Sequence, residues 1–422
     1  MTEIISSRQR VQDVLAHKQA DKLAVDFGAS PVTGIHVRVI EELRRYFGLK
    51  DIPVKVTEPY QMLGEVDAEL SGILEVDVLG ISPRENMFGF ENTDWKEFRT
   101  PWGQVLLVPG KFVTLEDKNG DILIYPKGDT SALPSGRMPV SGFFFDTIIR
   151  QESFDENNLN VEDNLEEFGV FKEEDVEYWT RWSTLAAQSD KAVLANIGGT
   201  GLGDIALVPG PFLTHPKGIR DVTEWYMSTV LRQDYLHQIF SGQTDIALQN
   251  LETAMGIFGN NIDIAFICGT DFGTQDSQFC SAEDFNELYA PYYKKINDWI
   301  HSHTTWKTFK HSCGSVNPLL PSLIEAGFDI INPVQINALD MDAAMLKREY
   351  GDQVTFWGGG VDTQKVLPFG TPDEVKKQVL HQCEILSQDG GFVFNTVHNI
   401  QANVPLENVI AMLDAIKQFN GS

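Results

Sequence analysis

The feature that most limits how this chain can fold is a repeated switch between two hydrophobic periods. Short apolar runs of strand length recur, and a segment of helical period follows most of them. Residues 23–28 and 76–81 are the first two runs. From residue 192 the alternation becomes regular: runs at 192–198, 262–269, 307–313, 329–334, 354–358 and 391–396 each precede a helix-like stretch. Apolar runs between helices are what a parallel sheet needs, because its strands are covered on both faces. Eight strand–helix units predict an α/β chain folded as a (β/α)8 TIM barrel. A doubly wound open sheet is the rival, but eight regular units fit ring closure better.

A β-rich stretch at residues 102–125 interrupts this pattern. It carries the turn signals Pro109-Gly110 and Lys118-Asn-Gly-Asp121. The expectation is one barrel domain over residues 1–422 with a β-rich insertion at about 100–130. That insertion either covers the barrel mouth or builds a homodimer contact. Residues 126–163 read as irregular, 162–189 as helical, and 281–303 as one helix opened by Ser281 with Asp284 three positions on.

Composition removes whole classes of partner. The 60 Asp and Glu outnumber the 33 Lys and Arg, for a formal net charge of -27. Nucleic acid and acidic membrane surfaces both need a basic face, so neither is an expected partner. The four cysteines show no dense regular spacing and so no disulfide framework. The first ten residues lack the basic start and apolar run of a leader, and no stretch is long and apolar enough to span a bilayer. The expected location is the cytoplasm.

Barrel active sites gather where the strands end. Reading those ends gives Asp26, Arg84, Asn196, Asp271, His311, Cys313, Gln335, Trp357 and His398. The segment Lys307-Thr-Phe-Lys-His-Ser-Cys-Gly314 stands out among them. Positions i and i+2 of a strand point to one side, so His311 and Cys313 face one cavity. An imidazole and a thiol can hold zinc, or act as base and nucleophile. A catalytic zinc needs a third ligand: His398 suits by position, with Asp271 and Asp26 as carboxylate alternatives. Asp271-Phe-Gly-Thr-Gln-Asp276 is a polar loop after an apolar strand and suggests ligand recognition, Gln275 included. Gly198-Gly-Thr-Gly-Leu-Gly203 lacks both the dinucleotide spacing and the Lys-Ser/Thr of a P-loop, and reads as a flexible loop.

These residues carry a resemblance. His311-Ser-Cys-Gly314, Leu323-Ile-Glu-Ala-Gly-Phe-Asp329, Phe356-Trp-Gly-Gly-Gly-Val-Asp362, Gly370-Thr-Pro-Asp-Glu-Val375 and His398-Asn-Ile-Gln401 resemble the uroporphyrinogen decarboxylase superfamily. The N-terminal half is similar more weakly, through Arg8-Gln-Arg-Val11 and Val25-Asp-Phe-Gly28. The resemblance implies a (β/α)8 barrel. It is closer to the corrinoid-dependent methyltransferase branch, which carries the His-x-Cys pair and a later Cys as third zinc ligand. In this chain His398 stands at the position of that Cys. True decarboxylases instead carry an N-terminal Arg segment for the carboxylates of a tetrapyrrole, and nothing like it lies near Asp26.

The resemblance therefore implies methyl transfer between a small methylated substrate, such as an O-methyl compound, and a corrinoid protein. Zinc on His311 and Cys313 would be the Lewis acid, with His398 as third ligand or as a substrate contact. Asp271 and Asp26 are the expected catalytic residues. Arg84, Asn196, Gln275, Gln335 and Trp357 are the expected substrate contacts. The corrinoid would arrive on a partner. The alternative is a decarboxylase acting on a tetrapyrrole or another carboxylated substrate.

Overall fold

The computed structural model describes residues 5–156 and 158–421. The first four residues of the stretch read above for a leader lie outside them. All eight expected barrel strands form: β1 (Ala24–Val25), β2 (Val78–Ile81), β3 (Ala192–Ala195), β4 (Ile264–Cys268), β5 (Lys307–His311), β6 (Ile330–Asn332), β7 (Thr355–Trp357) and β8 (Phe392–Phe394). They make one eight-stranded sheet in the order β1-β8-β7-β6-β5-β4-β3-β2. Every described pairing in it is parallel. The N–H of Asp77 donates to Val25 O at 2.8 Å, which draws the start of β2 against β1 and nearly closes the ring. This is the (β/α)8 barrel.

The strands read as continuous apolar runs because both faces are covered. Inward side chains Leu194, Ile264, Phe266, Phe309, Ile330 and Trp357 share one core. Outward ones such as Ala265, Ile331 and Phe356 pack in the larger core against the helices. The helix Ser7–Leu15 puts Val11, Val14 and Leu15 into the inner core. Arg10 from this helix pairs with Asp77 at 2.6 Å, and Arg8 donates to Lys191 O at 3.1 Å. Asp77 and Lys191 precede β2 and β3, so the helix plugs the N-terminal end and leaves the opposite end for the site.

The β-rich part extends well beyond residues 102–125. One four-stranded sheet runs Leu63–Gly64, Val54–Glu58, Val105–Val108, Lys96–Arg99. A second runs Asp146–Thr147, Gly136–Met138, Ile122–Ile124, Thr114–Glu116. The strands missed by the sequence reading are short and find partners far away, as in the parallel pair Val54↔Leu106. The expected helix over 281–303 is two, Ala282–Leu288 and Ala290–His303. Pro291 has no N–H to continue the ladder across that junction. Ser281 caps the first through the N–H of Asp284 at 3.0 Å, as its spacing predicts.

Candidate metal centre

Strand register builds this site. Phe309 and His311 lie two apart on β5, so both point inward, His311 one layer above the apolar floor. On β6, Ile330 and Asn332 do the same, and His311 is the direct register partner of Asn332. His311 Nδ1 consequently lies 2.6 Å from Asn332 Oδ1. Beyond β5 the chain turns at Gly314, with φ +90, where an added Cβ would stand 2.4 Å from the Gly273 carbonyl carbon. Only glycine lets the loop after β5 approach the loop after β4 so closely. The turn carries Cys313, whose Sγ lies 3.4 Å from His311 Nε2.

His398, in the loop after β8, completes the group. Donor atoms of His311, Cys313 and His398 all lie within 4.8 Å of one another. The two imidazole rings stand 5.5 Å apart at 70°. Burial lowers both to about 4, so each is neutral at pH 7 with a lone pair to give. Burial and the nearby Asp271 carboxylate push the Cys313 thiol up, so a metal would have to displace its proton.

Asp271 flanks the group. It accepts the Cys313 N–H at 2.7 Å, and the same oxygen lies 3.6 Å from His311 Nε2. Its side chain keeps 32% of its surface accessible. Burial nevertheless raises its carboxyl, against the Cys313 hydrogen bond and the charge of Lys310. Lys310 itself is fully buried and donates to the carbonyls of Thr270 and His311 at 2.5 Å each.

A cavity of about 340 Å³ opens beside Cys313 and His398. Gln275, Gln335, Gln364 and Gln401 line it, and none of its described lining residues is Lys or Arg. Gln335 Oε1 accepts the Gly314 N–H at 2.7 Å, and its Nε2 donates to Gln275 Oε1 at 3.2 Å. Gln275 Nε2 in turn donates to the Asn337 carbonyl, so each of the two amide nitrogens keeps a second N–H for a ligand.

The structure thus brings together His311, Cys313, His398, Asp271, Gln275 and Gln335. It sets four others apart. Asp26 is fully buried, and its oxygens accept Ala29 N–H and Trp357 Nε1–H, both at 3.0 Å. Trp357, also fully buried, forms part of the barrel floor against Phe309, with ring centroids 5.4 Å apart. Neither lines the cavity: both lie beneath it and support the layer that holds His311. Arg84 is held by Asp175 at 2.7 Å and Glu91 at 2.6 Å, with Glu85 at 3.4 Å, also away from the cavity lining. Asn196 is half-buried at the end of β3 and is absent from that lining.

The sequence reading missed Asn332 and Lys310. Asn332 had a signal: a polar residue on the inward face of an apolar strand, one layer above Ile330. The glycine-rich loop is anchored where it was expected to be flexible. Gln243 Nε2 donates to the carbonyls of Gly199 and Gly201, both at 2.9 Å. At its end stands Asp204, whose carboxyl burial pushes up to about 6.

The fold and this donor set define the class: a barrel protein with a candidate metal centre at the C-terminal ends of its strands. The uroporphyrinogen decarboxylase (URO-D) family model matches residues 219–419. The matched segment, a little under half of the chain, contains β4–β8 and His311, Cys313 and His398. A solved methyltransferase from Methanosarcina mazei is similar over 99% of this chain and 99% of its own, with a TM-score of 0.55 and 16% identity. At that identity the likeness shows a shared fold. No curated protein sequence matches the chain. No helix among the described residues is long and apolar enough to cross a membrane.

Proposed function

We propose that this protein is a methyltransferase exchanging a methyl group between a small methylated compound, such as a methyl ether, and a corrinoid held by a partner protein. Zinc would be held by His311, Cys313 and His398. One observation carries this reading: a thiol and two neutral imidazoles converge within 4.8 Å beside a small polar cavity. Thiolate and imidazole are the usual donors to zinc, and three protein ligands leave a position open. A tetrahedral site with ordinary bond lengths spaces sulfur and nitrogen about 3.6 Å apart. The 3.4 Å between Cys313 Sγ and His311 Nε2 is close to that. The family match and the methyltransferase named above are in keeping with this reading.

When bound, zinc supplies Lewis acidity toward the oxygen or sulfur that gives up or receives the methyl group. The protein's own groups do the rest. His311 and His398 offer neutral nitrogens at working pH. Asp271, partly exposed beside Cys313, is placed to take the thiol proton on metal binding and release it to solvent. Gln275 and Gln335 present N–H donors that orient a polar substrate.

The decarboxylase alternative asks for cations, because several substrate carboxylates must be paired on binding. The described cavity lining offers no Lys or Arg. Its 340 Å³ also falls near the lower end of the roughly 300–1,000 Å³ of ligand pockets. Metal analysis of wild type and Cys313→Ala, beside methyl transfer from labelled methyl ethers to Co(I) corrinoid, tests the proposal. Zinc in the wild type alone, with transfer lost in the variant, is expected. Metal-free wild type with intact transfer would overturn the zinc mechanism, and turnover of uroporphyrinogen to a less carboxylated product would overturn the class.

A further inference from the structure

His311 can serve as a ligand through Nε2 only if its proton sits on Nδ1, and the structure contains a device that decides this. An asparagine amide is usually ambiguous, since its oxygen and nitrogen look alike. Asn332 is not ambiguous. One end of its amide lies 2.7 Å from the carbonyl oxygen of Trp357, which can only accept. That end is therefore Nδ2, and the other end, Oδ1, faces His311 Nδ1 at 2.6 Å. An amide oxygen can only accept in turn, so Nδ1 must carry the hydrogen. A neutral imidazole has a single N–H. Its lone pair is left on Nε2, the atom 3.4 Å from Cys313 Sγ.

We propose that Asn332 is a positioning residue that locks His311 in the Nδ1–H tautomer and so turns Nε2 toward the metal. Asn332 is fully buried and does not line the cavity, so it acts only through His311. The lock is itself held. Trp357 is tied through Nε1 to Asp26 at 3.0 Å, and Asp26 O accepts from Asn395 Nδ2 at 2.7 Å. The chain at Gly358 passes so close that an added Cβ would stand 3.2 Å from Asn332 Nδ2 and 2.8 Å from Thr396 O. Glycine there, at φ +85, lets the Trp357 carbonyl reach the amide. The result is a relay across strand ends, Asp26 to Trp357 to Asn332 to His311, ending on one ring nitrogen. Partners of this kind typically change metal affinity by about 10–100-fold.

The experiment has two arms, and only the second rests on the zinc reading. In the first, nitrogen NMR of histidine-labelled, metal-free protein reports the tautomer of His311 directly, with His311→Gln assigning the signal. A protonated Nδ1 and an unprotonated Nε2 are expected, and the opposite pattern overturns the proposal whether or not the protein binds zinc. In the second, Asn332→Leu removes the acceptor while Asn332→Asp keeps one. Zinc affinity, read by competition with a chromophoric chelator, should fall about 10–100-fold in Asn332→Leu. It should stay close to wild type in Asn332→Asp, because a carboxylate oxygen still accepts from Nδ1. Equal losses in both variants, or none in Asn332→Leu, would overturn the lock. Should Asn332→Leu fail to fold, the wild-type tautomer and the Asn332→Asp affinity still decide. Absence of zinc binding by wild type with the Nδ1–H tautomer present would sink the metal assignment and leave the tautomer lock standing.

Discussion

The backbone N–H of Cys313 donates to Asp271 Oδ1 at 2.7 Å, and that same oxygen lies 3.6 Å from His311 Nε2. One carboxylate from the loop after β4 therefore holds the turn that carries the thiol and sets its charge beside the imidazole. Asp271→Asn keeps an oxygen for the N–H and loses the charge, whereas Asp271→Ala loses both. Zinc affinity should fall about tenfold in the first variant and further in the second. Chelator competition measures both, and unchanged affinity in Asp271→Ala would remove this residue from the centre.

Asp26 offers a test by pH. Burial raises its carboxyl to about 6 in the folded protein, against about 3.9 when unfolded. The folded state holds the proton more tightly, so this contribution to stability is full below about pH 4. It is lost as pH rises through about 6. Two pKa units correspond to about 3 kcal/mol. Urea unfolding at pH 4.5 and pH 7 should show wild type losing stability relative to Asp26→Asn across that interval. Parallel behaviour of the two proteins would mean that Asp26 is not held protonated.

Trp357 should prove to be a structural residue. It is fully buried and closes the barrel floor against Phe309. Trp357→Ala should cost about 3–5 kcal/mol in urea unfolding, for the lost burial and the cavity left behind. Trp357→Phe should cost less, about 1–3 kcal/mol, mainly because Asp26 loses a hydrogen-bond donor.

Arg84 should affect folding and leave the reaction alone. Its guanidinium bonds Asp175 and Glu91 and does not line the cavity. Arg84→Met should lower stability by about 1–2 kcal/mol, since these charge-assisted bonds are only partly exposed. Its KM for a methyl donor should match wild type. A raised KM would bring Arg84 back as a substrate contact.

The site was half legible in the chain. His311 and Cys313 were readable because two residues apart on a strand is a local relation, independent of everything else in the fold. Arg84 and Trp357 looked equally good as strand-end residues. A strand end says nothing about whether a side chain meets a ligand, three carboxylates or the barrel floor. The inserted sheets were partly hidden for a related reason. A strand as short as Gly136–Met138 carries little pattern and exists through its neighbours Ile122–Ile124 and Asp146–Thr147.

By itself, then, the sequence determined the number and order of the strand–helix units and the facing of His311 with Cys313. Hydrophobic period and side-chain alternation are properties of a few consecutive residues, and they survive any tertiary context that buries the strand. Strand-end position already pointed to His398 and Asp271, but only the tertiary structure brought their atoms within reach of the pair and set Asn332 behind it. Those relations depend on ring closure and on the register His311↔Asn332, and register is settled by packing between strands distant in the chain.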